Sequence, residues 1–332
     1  MRTFLTPVAQ ILQRCNGMKK DKVIITGGAG FIGSHLCRKL VDLEYGVVIL
    51  DNLTRGRCEY IQDLVDAKKV KFIEGDIRNS QTVRDVVKGA KYVFHEAAVC
   101  INYSVVHPEE SIQINVDGSF NVFKAASDAG VEKLVFASSA SVYGNPQYLP
   151  MDEKHPFNPI TPYCVSKIAG EYALGIFAPK GLKYNILRNF NVFGPRQSVD
   201  AFYTSVIINF MKNVQGGKPP VICGDGSQSM DFVNVHDVVD ANVLAAESDV
   251  WGEAFNVGSG VSTSVKTLAE TVIKLFNSKL EPEYQKEQKI IVRRRQADIS
   301  KIEKMLKFKP KVGFEEGLAE VAKDITKHPK FY

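Results

Sequence analysis

From Lys22 onward, short runs of apolar, often β-branched residues alternate with longer stretches in which apolar positions recur every three or four residues. The runs Val23–Thr26, Val47–Leu50, Val70–Ile73, Tyr92–His95 and Leu134–Ala137 have the length of strands. Between them, Phe31–Leu43, Ser80–Val87 and Ile112–Ala129 read as helices. Strands that are apolar on both faces need cover on both faces, so the pattern predicts a doubly wound α/β fold with a parallel sheet. After Arg188 the rhythm breaks, and Gly194-Pro195, Gly216-Gly217, Pro219-Pro220, Gly224 and Gly226 crowd the chain. The expected organisation is a first domain over 20–188, to which 231–258 returns, and a smaller C-terminal substrate-binding lobe over 189–332.

Charge changes this picture little. The 42 Lys and Arg against 37 Asp and Glu are scattered, and the single tight basic cluster is Arg293-Arg294-Arg295. That pattern fits one anionic small ligand and argues against a nucleic-acid partner, which would call for a broad basic face. The six cysteines form no CxxC pair and have no histidine at zinc spacing, so neither a metal site nor a disulfide frame is expected. No apolar run approaches the ~18 residues of a membrane span, and a cytoplasmic setting with reduced thiols is the expectation. Residues 1–19 form an N-terminal extension, basic and without acids. A transit peptide shares that composition, but a short surface helix, or a start at Met18, fits its broken apolar pattern better.

Chemistry first shows at Thr26-Gly27-Gly28-Ala29-Gly30-Phe31-Ile32-Gly33, which leaves a strand and opens a helix. Gly27 allows the tight turn, Gly30 lets backbone amides reach a pyrophosphate, and Gly33 lets the helix approach the sheet. The helix start adds positive potential. An isolated glycine pattern would be a turn and no more. Here the strand, the helix and an acid after the second strand agree on the dinucleotide-binding (Rossmann) fingerprint. That acid, Asp51, with Asn52 beside it, stands where a carboxylate accepts from the adenosine ribose hydroxyls and repels a 2′-phosphate, which favours NAD over NADP.

Tyr163-Cys164-Val165-Ser166-Lys167 is a Y-x-x-x-K behind Thr161 and Pro162, an N-cap and a first helical residue. Tyr163 and Lys167 therefore share a helix face. A phenol is a poor base at neutral pH, and a neighbouring ammonium favours its phenolate. The pair alone could be solvated surface. The serine-rich segment Ser138-Ser139-Ala140-Ser141-Val142-Tyr143-Gly144 raises its significance, because it ends a strand where doubly wound folds place their chemistry.

Together these residues resemble the extended short-chain dehydrogenase/reductase family, and within it the nucleotide-sugar 4-epimerases of the UDP-hexose type. Further matching stretches are Gly75-Asp76-Ile77-Arg78, His95-Glu96-Ala97-Ala98, Asn115-Val116-Asp117-Gly118, Arg188 to Gln197, Gly224-Asp225-Gly226 and Asp298-Ile299-Ser300-Lys301. The resemblance implies that Ser139, Tyr163 and Lys167 are catalytic. It also implies that Asp76 and Ile77 approach the adenine, that Ala97 and Ala98 line the cofactor groove, and that Ser141, Asn191 and Arg196 contact the nucleotide sugar. The implied reaction is a transient oxidation at C4, using tightly bound NAD, that returns the hydrogen to the other face. Related dehydratases and decarboxylases resemble this chain but carry acids after the catalytic serine or threonine, where Ala140 and Ser141 stand here. Family members pair as homodimers through two helices, here Ile112–Ala129 and Pro162–Ala178.

The resemblance breaks at the expected phosphate contacts. Met230 replaces an arginine, and Lys286–Val292 lacks the Arg-x-Gly-Asp stretch that supplies a second. Arg293, Arg294 or Arg295 is the expected substitute, since an unpaired pyrophosphate is costly; a solvated basic strand end is the plainer reading. Arg295 falls where the family sets sugar size, and could meet an acidic substituent. Ser198 replaces an arginine common in uronate epimerases, and Cys100–Ser104 is one residue shorter than the usual loop and lacks its basic residue. The sugar therefore stays open. A UDP-uronate 4-epimerase, another epimerase or ketoreductase on the same scaffold, and a non-catalytic NAD-binding regulator remain as alternatives.

Overall fold

A computed structural model describes residues 20–197, 199, 205–286 and 292–332. The N-terminal extension 1–19, Ser198 and residues 287–291 of the Lys286–Val292 segment lie outside the described residues.

The apolar runs become strands β1 (Lys22–Thr26), β2 (Gly46–Asp51), β3 (Val70–Glu74), β4 (Tyr92–His95), β5 (Lys133–Ser139) and β6 (Tyr184–Asn189). They are followed by β7 (Asn191–Phe193), β8 (Val221–Cys223), β9 (Ser229–Asn234), β10 (Glu253–Val257), β11 (Ser262–Ser264) and β12 (Glu283–Gln285). The helices are α1 (Phe31–Asp42), α2 (Gln62–Asp66), α3 (Ser80–Val87), α4 (Ile101–Val106), α5 (Pro108–Ile112), α6 (Ser119–Asp128) and α7 (Pro162–Phe177). Five more follow: α8 (Ser205–Gln215), α9 (Val235–Glu247), α10 (Val265–Leu275), α11 (Ser300–Leu306) and α12 (Phe314–Lys327).

Seven strands form the main sheet in the order β10-β6-β5-β4-β1-β2-β3, and β1 to β5 pair in parallel. The order reverses between β1 and β4, which is where an open α/β sheet leaves a crevice beyond its strand ends. Every residue of β2 is buried, as helices on both faces demand. No helix among the described residues is long and apolar enough to cross a membrane.

Two compact units divide the chain. The first takes residues up to Ser138, Thr161–Leu187 and Asn242–Ala254; the second takes Ser139–Ile160, Arg188–Ala241 and Phe255–Tyr332. The sequence pattern left Ser139–Ile160 in the first domain and returned 231–258 to it. The segment after β5 differs because Met151 pairs with Ala297, so its partners come from the far end of the chain. Each unit has its own core: Ile24, Val48, Val93, Phe123 and Phe136 in the first, Phe193, Met211, Phe232, Leu268 and Leu318 in the second.

One expected helix is more complex than its periodicity. Ile112–Ala129 is preceded by α5 and contains a π turn, Gln113–Gly118, before α6. The extra residue of a π turn re-aims side chains that a regular helix would misplace. Asn115 in this turn accepts from Val99 N (2.9 Å), and its Nδ2 donates to Val99 O (3.1 Å) and Ser166 Oγ (3.2 Å). The turn thereby ties the loop after β4 to α7.

Candidate functional site

The glycine loop after β1 has the shape its sequence predicts. Gly27 has φ +72°, and a Cβ there would lie 2.7 Å from Ala97 N. At Gly33 a Cβ would stand 2.2 Å from Gly27 O, so α1 reaches the loop only because that residue has no side chain. Gly27 N donates to Leu50 O at 2.8 Å, locking the turn between β1 and β2. Gly30 caps α1 without a side-chain acceptor, leaving the first-turn amides beside half-buried Phe31 and Ile32 for an anion. The cradle fits the pyrophosphate of NAD.

Asp51 is buried at the end of β2, and burial raises its pKa while the amides of Leu53 and Ala29 pull it back. Ala29 N donates to Oδ2 at 3.0 Å and Leu53 N to Oδ1 at 2.9 Å, so the carboxylate also braces the glycine loop. Each oxygen keeps a further lone pair for a ribose hydroxyl. Asn52 Nδ2 donates to Asp76 Oδ2 at 3.0 Å, which joins the loops after β2 and β3. The Arg78 guanidinium, hydrogen-bonded to Asp76, holds that carboxyl at about 2. The Ile77 side chain belongs to the first core and its carbonyl accepts from Asn121 Nδ2 at 3.1 Å, while Ala97 and Ala98 are half-buried after β4.

Helix α7 begins as the Thr-Pro pair predicts. Thr161 Oγ1 accepts from Cys164 N at 3.3 Å, and Pro162 occupies the first turn. Ser104 Oγ accepts from Tyr163 N at 3.2 Å. Gly170 brings the helix onto β5, since a Cβ there would meet the Phe136 ring at 2.6 Å. Lys167 Nζ is buried, donates to Ala137 O at 2.6 Å and lies 5.6 Å from the centre of the Tyr163 ring. Burial lowers its pKa to about 8, against the opposing pull of Glu96 and Glu171. One turn on, Glu171 Oε1 accepts from Ser138 Oγ at 2.5 Å.

Behind this pair lies a buried polar layer that sequence reasoning did not assign. His95, fully buried, meets Thr26 Oγ1 through Nδ1 (2.6 Å) and Ser119 Oγ through Nε2 (2.8 Å). Burial drops its pKa to about 3, helped by Lys167, so the ring is neutral. Glu96 follows it, and burial pushes its pKa up to about 7, with Lys167 and a hydrogen bond from Asn242 opposing. Its Oε1 is buried without a hydrogen-bond partner. A charged residue within an otherwise apolar run was the only signal available.

The substrate residues expected from the resemblance fall in the second unit. Ser139 ends β5 half-buried, and its Oγ accepts from Ser141 N at 3.2 Å. Ser141 and Asn189 are buried, and Ser141 Oγ and Asn189 Oδ1 have no hydrogen-bond partner. Asn189, unassigned from sequence, thus offers an acceptor comparable to Ser141. Asn191 is buried with Nδ2 donating to Asp231 O at 3.0 Å, which leaves its oxygen for other contacts. Arg196 has φ +65°, and its amide donates to Tyr332 Oη (2.7 Å) and Asp324 Oδ2 (2.9 Å).

Met230 belongs to the second core rather than to a binding face. Arg293–Arg295 runs beside β9, with Ser229 N donating to Arg293 O and Arg295 N to Ser229 O. Along that ladder Arg295 parts from the other two. Arg295 is buried, whereas exposed Arg293 and Arg294 line a cleft of about 670 Å³ with Asn145, Gln147, Tyr148 and the apolar Pro146 and Leu149. Two guanidinium groups, a phenol and two amides suit an anion.

Comparison with known proteins bears on the family and the fold. The model of the NAD dependent epimerase/dehydratase family matches residues 23–258. A Methanocaldococcus jannaschii protein named as a putative UDP-glucose 4-epimerase is 38% identical over 304 residues, covering 90% of this chain and 96% of its own. Among solved structures, the UDP-N-acetylglucosamine 4-epimerase of Methanobrevibacter ruminantium, in complex with UDP-N-acetylmuramic acid, superposes with TM-score 0.88 at 36% identity, over 94% of this chain and 100% of its own. The UDP-glucose 4-epimerase of Thermotoga maritima with UDP-glucose gives 0.86 at 35% identity, over 93% and 99%.

Proposed function

The chain belongs to the NAD-dependent epimerase/dehydratase family, and from that premise we propose that it inverts C4 of a UDP-linked hexose, of the glucose/galactose or N-acetylhexosamine type, through a transient 4-keto sugar. The observation that carries this is α7, whose capped start presents Tyr163 with the buried Lys167 ammonium beside its ring. Tyr163 takes the proton of the C4 hydroxyl and later returns it. Lys167 stabilises the phenolate this requires. Ser139 hydrogen-bonds the same hydroxyl and fixes its orientation, a contribution of proximity and not of acidity. NAD, when bound on the glycine loop, supplies the redox chemistry at C4. Ala140 and Ser141 bring no acid to the serine turn, so elimination or decarboxylation lacks its proton carrier there.

The lost arginine at Met230 supports a role for Arg293 and Arg294 in holding an anionic part of the substrate, from the cleft they line. The same cleft favours a second reading, in which the sugar carries an acidic substituent and the substrate is a UDP-uronate or similar acid. Helices α4, α6 and α7 leave Val106, Phe120, Val165, Tyr172 and Ile176 exposed, which supports pairing of two copies through this face of the first unit. Cys37, Cys58, Cys100, Cys164 and Cys223 form no disulfide, which fits a reducing cytoplasm.

Proton NMR of the purified protein with UDP-glucose, UDP-N-acetylglucosamine and UDP-glucuronate, without added NAD, tests the proposal. The expected outcome is the C4 epimer growing from one of them to a constant ratio, reached equally from either side. If none of the three is inverted, the proposal falls.

A further inference from the structure

The loop that leaves β2 carries two arginines, Arg55 and Arg57, which the dinucleotide site as described above does not use. Its backbone is held on several sides. Leu53 has φ +57°, a left-handed conformation that a leucine keeps only where its surroundings impose it. Leu53 N donates to Asp51 Oδ1 at 2.9 Å, Thr54 N to Asn52 Oδ1 at 3.1 Å, and Arg57 N to Ala29 O of the glycine turn at 2.9 Å. A Cβ at Gly56 would stand 2.7 Å from Asp51 Oδ1, so the loop lies against that carboxylate. From this fixed base Arg55 reaches sideways, and its Nη1 donates at 2.8 Å to Sγ of half-buried Cys100, after β4.

β2 and β4 are not neighbours. The sheet places β1 between them and all three run parallel, so the glycine turn emerges between the two loops that the Arg55–Cys100 bond joins. Two strand spacings, about 10 Å, separate β2 from β4, and a side chain of arginine's length is needed to cross them. We propose that Arg55 is a cofactor-binding residue: lying across the glycine turn, its guanidinium donates to the pyrophosphate of NAD, and Cys100 is the residue that positions it there. The inference deepens the NAD reading of the glycine loop and is independent of the reaction at C4.

The distribution of charge singles Arg55 out. The pyrophosphate of NAD is a dianion, yet Gly27–Gly33 contains neither Lys nor Arg and offers amides and a helix start alone. The stretch from Glu96 to Val106 contains neither as well. Arg78, after β3, is held by Asp76 at 2.7 Å and Glu110 at 3.6 Å, and Arg38 on α1 is held by Asp63 at 2.6 Å. Lys167 is buried and donates to Ala137 O on β5. The contact that Arg55 makes across the turn ends on sulfur. A thiol is a weak acceptor beside a phosphate oxygen, so an arriving anion draws N–H donors from it at little cost.

The test exchanges the co-purified nucleotide for NADH and follows its release by fluorescence during a chase with excess NAD. The parent is compared with Arg55→Gln, Arg55→Lys, Cys100→Val and Cys100→Ser, with thermal melts to confirm folding. Because Arg55 is exposed, Arg55→Gln is expected to release NADH about tenfold faster, with Arg55→Lys between it and the parent. Cys100→Val should give a smaller acceleration, and Cys100→Ser, which keeps an acceptor, should stay near the parent. Added salt should speed release from the parent more than from Arg55→Gln, as screening of a lost charge cannot act twice. An unchanged release rate in folded Arg55→Gln overturns the inference. So does weakened equilibrium binding of NADPH with that of NADH untouched, which would place the guanidinium at the adenosine ribose. A protein that inverted no sugar would defeat the proposed reaction and leave this comparison as it stands.

Discussion

The glycine loop of the first unit and the arginine-lined cleft of the second both suit an anionic ligand, and they are built on opposite principles. The loop uses backbone: amides at a helix start, held by the absence of Cβ atoms at Gly27 and Gly33, with Asp51 bracing the turn through two amides. The cleft uses the ends of long side chains, Arg293 and Arg294, on a segment that a short ladder with Ser229 fixes. A backbone cradle tolerates almost no substitution, whereas a side-chain cleft can move its charges from one position to another. In this chain Met230 lies in the second core while the arginines stand on a neighbouring segment. The difference teaches why a cofactor can be conserved in a scaffold whose substrate changes.

The largest expected effect is chemical. Tyr163→Phe keeps the ring and removes the proton carrier, and epimerisation should fall about 100- to 10,000-fold with the melting temperature and bound NAD unchanged. An assay of C4 inversion with the folded variant checks it. Next comes the backbone cradle. Gly33→Ala places a Cβ 2.2 Å from Gly27 O, and forcing α1 away should cost about 1–3 kcal/mol, partly offset by helix propensity, with loss of co-purified NAD. Urea denaturation and extraction of the nucleotide measure both. If Gly33→Ala bound NAD like the parent, the contrast between cradle and cleft would lose its basis.

Smaller effects sharpen the other side. Arg293→Ala with Arg294→Ala should raise KM for the UDP-sugar about tenfold, because solvent-exposed charged contacts are worth only about 1–2 kcal/mol, and leave kcat and NAD content as they were. Initial-rate kinetics against substrate concentration decide it. The last concerns His95, whose folded pKa of about 3 lies below the ordinary value of 6.5. A group depressed on folding contributes stability that is complete above 6.5 and is lost as pH falls toward 3. Urea midpoints should therefore decline over that window, and His95→Gln should flatten the decline.

Much of the first unit was legible because its signals are local. β-branched runs, the glycine spacing, Asp51 at the end of β2 and the Thr161-Pro162 helix start each depend on neighbours in sequence, and the strands formed within a residue or two of their expected ends. What was not legible depends on distant partners. Ser139–Ile160 joined the second unit through Met151 and Ala297, a pairing no local pattern announces. The π turn at Gln113–Gly118 follows from where Asn115 must reach Val99 and Ser166, and helical periodicity is blind to one added residue. Glu96 and Asn189 were visible as letters, but their weight lies in buried oxygens without partners, which only packing discloses. Three consecutive arginines read alike in sequence, and the ladder beside β9 separated Arg295 from the other two.

The strand order carries a further consequence for how the polypeptide is made. β6 leaves the ribosome long before β10, its neighbour at the sheet margin, so its outer row of amides and carbonyls waits several seconds for a partner at ~5–20 residues/s of synthesis. During that interval the nascent sheet presents an open margin able to recruit a foreign strand. Chaperone occupancy on stalled chains should accordingly peak after residue 189 and fall once residue 257 has emerged.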